Sequence, residues 1–316
     1  MNKYLAKIGK WAPLVAFVRF TQKIHPPGFQ QVSLHDVAKF FFRGLKHGAL
    51  ITRATSVAYF FFLAIFPSII FLFTLIPYIP IDNFQIRIFE QLRVIMPKAA
   101  FETAESTIVE ILTQPHKGLL SVGFLLSLWF STNGFSALIG SFNTTYHSVE
   151  TRTWLQRKLV AVVLVIITTF ILLTGIGLLV ISEKWTDALA HNKEFLYYLI
   201  IIGKWIVLFM LLFLSVSFIF YLGPSSKNKW KFFSAGSTFS TLLTIFASIA
   251  FAYYVNHFAS YNRLYGSIGT LIVVMLFIYF NSLIMILGFE LNASIHSAKN
   301  QKWNELDFTV LDDQRI

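Results

Sequence analysis

The chain has 316 residues, 56% of them apolar and only 13% charged, with a mean hydropathy of +0.65 and a formal charge of +11. A soluble domain is about a quarter charged, so this much apolar surface needs more than its own core to cover it, and a water-soluble enzyme is excluded. Cysteine is absent, which removes disulfides, thiolate zinc sites, iron–sulfur clusters and cysteine nucleophiles together.

Residues 1–56 carry nine Lys and Arg against the single acid Asp36. The apolar run 11–18 is too short for a cleavable signal and is bounded by Lys10 and Arg19. Lys3, Lys7 and Lys10 fall at helical spacing, which predicts a helix lying on an anionic membrane surface. His25-Pro26-Pro27-Gly28 breaks the chain. Ser33 and Asp36 then form a capping box that opens a second amphipathic helix, with Lys39, Arg43 and Lys46 sharing one face.

A helix crossing the hydrocarbon core needs about 20 mostly apolar residues. Six stretches qualify, at 57–81, 119–139, 159–181, 195–222, 232–255 and 268–290. The first contains Pro67 and Pro77, so a kink or a broken upper turn is expected, with Pro67 facing the bundle where neighbours satisfy the freed carbonyl. The segment 82–118 is too long for a plain connector and reads as two short amphipathic helices divided at Pro97. In the fifth span Ser237, Ser240, Thr241, Thr244, Ala247 and Ser248 run down one face. Small residues there allow close approach of another helix, from this chain or a second copy, and the alternative is a polar face lining a substrate path. In the sixth, Asn281, Gly288 and Asn292 share a face and Glu290 lies opposite. The tail after residue 296 is polar and is expected to fray.

Alternate segments between the spans hold 18 and 7 of the 26 Lys and Arg, with Lys204 inside the fourth span making up the total. By the positive-inside rule both termini are then cytoplasmic. Basicity that alternates in step with the spans is a topology signal, so nucleic acid is not an expected partner. Lys204 lies near the outer end of its span, where its stem reaches the headgroups.

Catalytic constellations are missing. The eight histidines form no H-E-x-x-H pair, no phosphate-binding loop or G-x-S-x-G elbow occurs, and neither cofactor nor metal is expected. An ionisable group near membrane depth is expected to find a partner, and Arg53 and Arg152 are the candidates for Glu290, the alternative being a proton or substrate site.

Three strings resemble one family, the YihY/BrkB family of bacterial inner-membrane proteins. They are Arg53-Ala54-Thr55-Ser56-Val57-Ala58-Tyr59 with Phe66-Pro67; Trp129 to Gly134 with Asn143-Thr144-Thr145-Tyr146 and Glu150 to Trp154; and Tyr261 to Gly269 with Tyr279 and Gly288-Phe289-Glu290-Leu291-Asn292. The order and spacing match the family from about Arg53 to Asn292. Three departures stand out: Phe277 replaces the usual Trp, Phe289 replaces the usual Ala before Glu290, and Leu222-Gly223-Pro224-Ser225 replaces the usual Leu-Pro-Asn. The resemblance implies a bacterial inner-membrane protein whose relatives are called virulence or serum-resistance factors, some linked to envelope lipid export. It also brings an old label as a transfer-RNA-processing ribonuclease. A metal-dependent nuclease needs clustered carboxylates or histidines, which the cytoplasmic segments lack.

The resemblance and the polar pattern together single out Arg53, Asn143, Tyr146, Glu150, Arg152, Tyr261, Tyr265, Glu290 and Asn292. Tyr261 and Tyr265 are expected to bracket a short outer loop entering a turn at Gly266–Gly269, and the ends of spans two and six to form one polar cluster. The expected architecture is an all-α bundle of six membrane helices with amphipathic N-terminal helices and a helical outer loop. The leading functional expectation is transport or gating of an amphipathic envelope substrate such as a lipid, with a non-transporting scaffold as the alternative. The expected partners are membrane lipids and, at the small-residue face, a second copy of the chain.

Overall fold

The computed structural model describes residues 20–313 apart from 27, 48, 79–83, 96–97, 146–151, 190–193, 226–230 and 258. The predicted helix within residues 1–18 lies outside that set. Among the described residues every regular element is helical: α1 Leu34–His47, α2 Leu50–Leu75 running into a 3₁₀ turn Ile76–Tyr78, α3 Phe84–Ile95, α4 Lys98–Thr113, α5 Lys117–Thr145, α6 Trp154–Leu189, α7 Glu194–Leu222, α8 Ala235–His257 and α9 Ala259–Asp313.

Six stretches are long and apolar enough to cross a membrane: Leu50–Tyr78, Lys117–Thr144, Trp154–Leu179, Phe195–Leu222, Ala235–Val255 and Leu271–Asn300. Most begin or end beyond the apolar runs read from the sequence, because helix continues into polar turns wherever side chains cap it. Thr153 and Gln156 make a reciprocal box at the start of α6, each accepting the other's backbone N–H at 3.3 and 3.0 Å. Ser234 and Ser237 do the same for α8, at 3.1 Å each way. At α1 the backbone N–H of Asp36 donates to Ser33 Oγ at 3.2 Å, and that hydroxyl donates to the Asp36 carboxylate at 2.7 Å. Burial pulls the Asp36 carboxyl upward, but the hydrogen bonds from Ser33 and His35 and the charges of His35 and Lys39 outweigh it and hold the group below the ordinary aspartate value.

Two expectations for the last span are corrected. No turn interrupts Gly266–Gly269; α9 runs unbroken from Ala259, since glycine is tolerated in membrane helices when the segment pairs its own backbone. Nor does the tail leave the helix after residue 296, because α1 lies along that extension. Val32 and Val37 from the α1 region pack with Ile295 and Ala298, and Lys299 Nζ donates to Gln30 Oε1 at 3.2 Å. The α3–α4 pair stands where a plain connector was not expected, and Leu112 of α4 is buried.

Helices α2 and α5 pack along their whole length. Pro67 is buried, as its predicted bundle-facing position requires. Phe61 meets Phe135 edge-on at 5.2 Å, Phe71 lies 5.5 Å from Phe124, and Gly134 and Gly123 leave the space these rings and backbones occupy. The other spans behave differently. The continuous core gathers Ala54, Val57, Phe135, Leu138, Ile139, Phe142, Ala161, Leu164, Val216, Phe220, Ile286 and Phe289. Each lies in the half of its span nearer the basic segments. Across 165–179 of α6, 195–215 of α7, 242–255 of α8 and 271–281 of α9, no described residue is buried. Spans α6–α9 are thus packed at the basic end and sparsely buried in the opposite half, whereas α2 and α5 stay packed there, with Thr74, Ile76 and Leu112 buried.

Candidate functional site

The basic end is closed by an aromatic plug inside a polar ring. Phe142 of α5 stacks on Phe289 of α9 with centroids 4.3 Å apart, and Phe220 of α7 meets both edge-on at 5.5 and 5.8 Å. All three are at most 1% exposed. Aromatic side chains bury large areas and favour these offset and edge-to-face arrangements, so the three rings hold α5, α7 and α9 together at one level.

Around the plug, four polar ties join helices that are distant in sequence. Arg53, one turn into α2, donates from Nη1 to the backbone carbonyl of Ser141 on α5 at 2.8 Å. Its Nη2 lies 3.9 Å from Glu290 Oε2 on α9, and the two side chains are 11% and 6% exposed. Ion pairs this buried are costly to break from one side, because the survivor keeps its desolvation penalty. On the far side of the pair, α1 lies so close that a Cβ on Gly44 would overlap the Glu290 carboxylate. Glycine at 44 is therefore what lets α1 seat on the ion pair.

Asn292 faces the other way from α9. Its Oδ1 accepts the backbone N–H of Gly236 at 2.8 Å and its Nδ2 donates to Ser234 Oγ at 2.9 Å, satisfying the start of α8. One turn below, a Cβ on Gly236 would strike the Gly288 carbonyl and one on Gly288 would strike Ser240 Oγ, while Ser240 Oγ donates to the Ile284 carbonyl at 3.2 Å. The small-residue face of α8 thus packs against α9 of the same chain. Ser237, Ser240 and Thr241 are fully buried there; Thr244, Ala247 and Ser248, farther out, are half-buried.

Asn143 Oδ1 accepts from the backbone N–H and the hydroxyl of Ser225, at 3.0 and 3.2 Å. Arg152 does not supply the Glu290 ion pair. Its guanidinium instead donates to the carbonyls of Leu222, Gly223 and Pro224 at 3.2, 2.9 and 2.8 Å, capping the carboxyl end of α7 with a cation. The predicted cluster of spans two and six is therefore a wider ring, in which Arg53 and Glu290, Arg152 and α7, Asn143 and Ser225, and Asn292 and α8 are separate links. Tyr146 and Glu150 lie outside the described residues. Tyr261 and Tyr265 fall within the helical backbone of α9, with side chains outside the description.

Several participants carried no signal strong enough to be singled out. Gly44 was legible only as a glycine inside an amphipathic helix. Ser234, Gly236 and Ser225 flank a loop with no periodicity. Lys158, read from sequence only as a topology charge, hydrogen-bonds Asn133 Oδ1 and stands 5.4 Å from the Trp129 ring centroid, joining α6 to α5. In the loose half, a cleft of about 320 Å³ opens between α8 and α9, lined by Ala247, Ala250, Phe251, Tyr254, Leu276, Phe277 and Phe280. Among the described residues no three His, Cys, Asp or Glu side chains gather closely enough to hold a metal.

Comparison with known proteins agrees with this architecture. The ribonuclease-like protein YfkH of Bacillus subtilis (strain 168) is 32% identical over 253 residues, covering 78% of this chain and 90% of that protein. A UPF0761 membrane protein of Tolumonas auensis is 24% identical over 266 residues, covering 81% and 84%. Another, of Haemophilus influenzae (strain 86-028NP), is 20% identical over 276 residues, covering 85% and 98%. No solved structure matches the chain. The family described as Virulence factor BrkB matches residues 41–307, and the chain belongs to it.

Proposed function

We propose that the protein moves or gates an amphipathic lipid of the bacterial envelope, sitting in the inner membrane with both termini in the cytoplasm. The observation that carries the reading is the uneven packing of α6, α7, α8 and α9, plugged at the basic end and without a buried residue across 165–179, 195–215, 242–255 and 271–281. A bundle closed at one level and loose at the other is one of the two states that alternating access requires. The cleft between α8 and α9 is lined almost wholly by carbon, and its volume is near the lower bound of small-ligand sites. Such a lining suits an acyl chain better than an ion or a sugar. The positive-inside rule, applied to the basic segments, supports a cytoplasmic position for the plug.

This reading makes no use of catalysis. YfkH is named ribonuclease-like, and that name belongs to the relative; the polar ring of this chain is spent on helix ends and one ion pair. The scaffold alternative draws on the same plug, since three interlocked phenylalanines suit a bundle that never opens.

Purified protein in vesicles of phosphatidylglycerol and phosphatidylcholine, loaded in one leaflet with a headgroup-labelled lipid, separates the two. Transport is expected to raise transbilayer exchange above protein-free vesicles. Ala250→Trp, which fills the cleft, should lower it while leaving thermal stability intact. Exchange at the protein-free rate with every labelled lipid class would overturn the proposal in favour of the scaffold.

A further inference from the structure

Helix α1 has two differently used faces. Val37 and Gly44 look toward α9, the first fully buried against the Ile295 and Ala298 region and the second against Glu290. Asp36, Lys39, Phe42, Arg43 and Lys46 are all exposed, and their spacing of three, three, one and three places them on one stripe of the helix. Phe42 is 67% exposed in the middle of three cations. A solvated basic face has no use for a phenylalanine, which loses free energy when left in water. The same ring flanked by Lys and Arg matches a helix side that faces lipid at the boundary between headgroups and acyl chains.

The position of α1 fits that boundary. Its last residue precedes the start of α2 by only three positions, and Gly44 touches the basic end of α9. Ala49 makes the corner, in a left-handed conformation at φ 45° and ψ 42°. We propose that α1 docks, by the side turned away from α9, on anionic phospholipid headgroups of the basic-side leaflet through Lys39, Arg43 and Lys46, with Phe42 packed into lipid between them. Docked there, it holds Gly44 over the Arg53–Glu290 pair. The inference does not rest on transport, because a scaffold would carry the same surface.

The native chain lacks cysteine, so Phe42→Cys can be labelled uniquely with an environment-sensitive fluorophore in the full-length protein. The labelled protein is reconstituted into vesicles of phosphatidylcholine alone and of equal parts phosphatidylcholine and phosphatidylglycerol. In the anionic vesicles alone, emission should shift to the blue and become quenchable by a nitroxide lipid, and high salt should reverse both effects. Each charge removed from Lys39→Gln, Arg43→Gln and Lys46→Gln should weaken docking about fivefold, so the triple variant loses roughly a hundredfold. These positions are exposed, so helical content and unfolding temperature should stay unchanged and serve as the folding control. Equal emission in both vesicles, or docking that survives the triple substitution, would overturn the proposal. Insertion seen in native membranes but in neither pure-lipid vesicle would assign the face to a protein partner and overturn it equally.

Discussion

Phe289 stacks on Phe142 across the α5–α9 contact, with ring centroids 4.3 Å apart and planes 26° apart. Position 289 is one where this chain departs from the pattern it resembles, which has alanine before the glutamate. The departure supplies the centre of the plug.

Phe289→Ala restores the smaller residue and removes a ring that is fully buried. The expected cost is about 3–5 kcal/mol of stability if the cavity does not collapse. A cysteine placed at Ser240 should also become reactive toward a membrane-impermeant thiol reagent added from the basic side. Thermal unfolding in detergent reads the first effect and labelling of reconstituted protein the second. A Ser240→Cys site that stays protected would show that the polar ring closes this end without the aromatic rings.

The Arg53–Glu290 pair gives a double-mutant cycle. Arg53→Ala leaves a buried carboxylate and loses the bond to the Ser141 carbonyl, so about 3 kcal/mol of destabilisation is expected. Adding Glu290→Gln removes the stranded charge and should recover part of the loss, giving a coupling energy of roughly 1–3 kcal/mol. Arg152→Gln with Glu290→Gln should be nearly additive, because Arg152 spends its guanidinium on the end of α7. Strong coupling in that second pair would contradict the geometry.

Gly288→Ala drives a methyl group into Ser240 Oγ and toward the Gly236 carbonyl. Overpacking of this kind costs about 1–3 kcal/mol. Ser240→Gly in the same chain removes the first obstacle and should return part of that stability, whereas Gly236→Ala has no such remedy, since its clash is with the Gly288 backbone. Unfolding temperatures of the single and double variants check the pattern.

The α1 cap should respond to acid. The Asp36 carboxyl is held below its ordinary value in the folded chain. Its contribution is therefore complete above the unfolded-state value and is lost as pH falls through the folded one. Hydrogen exchange of the α1 amides should rise in that acidic window and not at neutral pH. Asp36→Asn should flatten the response; an unchanged profile would place the cap's stability in the Ser33 hydroxyl alone.

Much of this architecture was legible in the residues. Six apolar runs, the Ser33–Asp36 cap, the paired helices α3 and α4 and the opposed faces of Asn292 and Glu290 all follow from periodicity, which is a local property. The partners did not follow. Arg53 and Arg152 looked equivalent as counterions for Glu290, being equally basic and at the same end of the bundle. Only packing distinguished them, by putting one beside α9 and the other beneath the end of α7.

Composition and spacing alone determined that this chain spans a bilayer six times with its cations sorted to alternate loops, because transfer into hydrocarbon acts on each segment separately. The tertiary structure decided where those helices touch: Gly44 under Glu290, Gly236 against Gly288, three phenylalanines at one level, and a sparsely buried half of α6–α9 beyond them. Such contacts depend on the shapes of surfaces far apart in the chain. Between helices in lipid no hydrophobic drive selects among pairings, so close packing and hydrogen bonds make the choice.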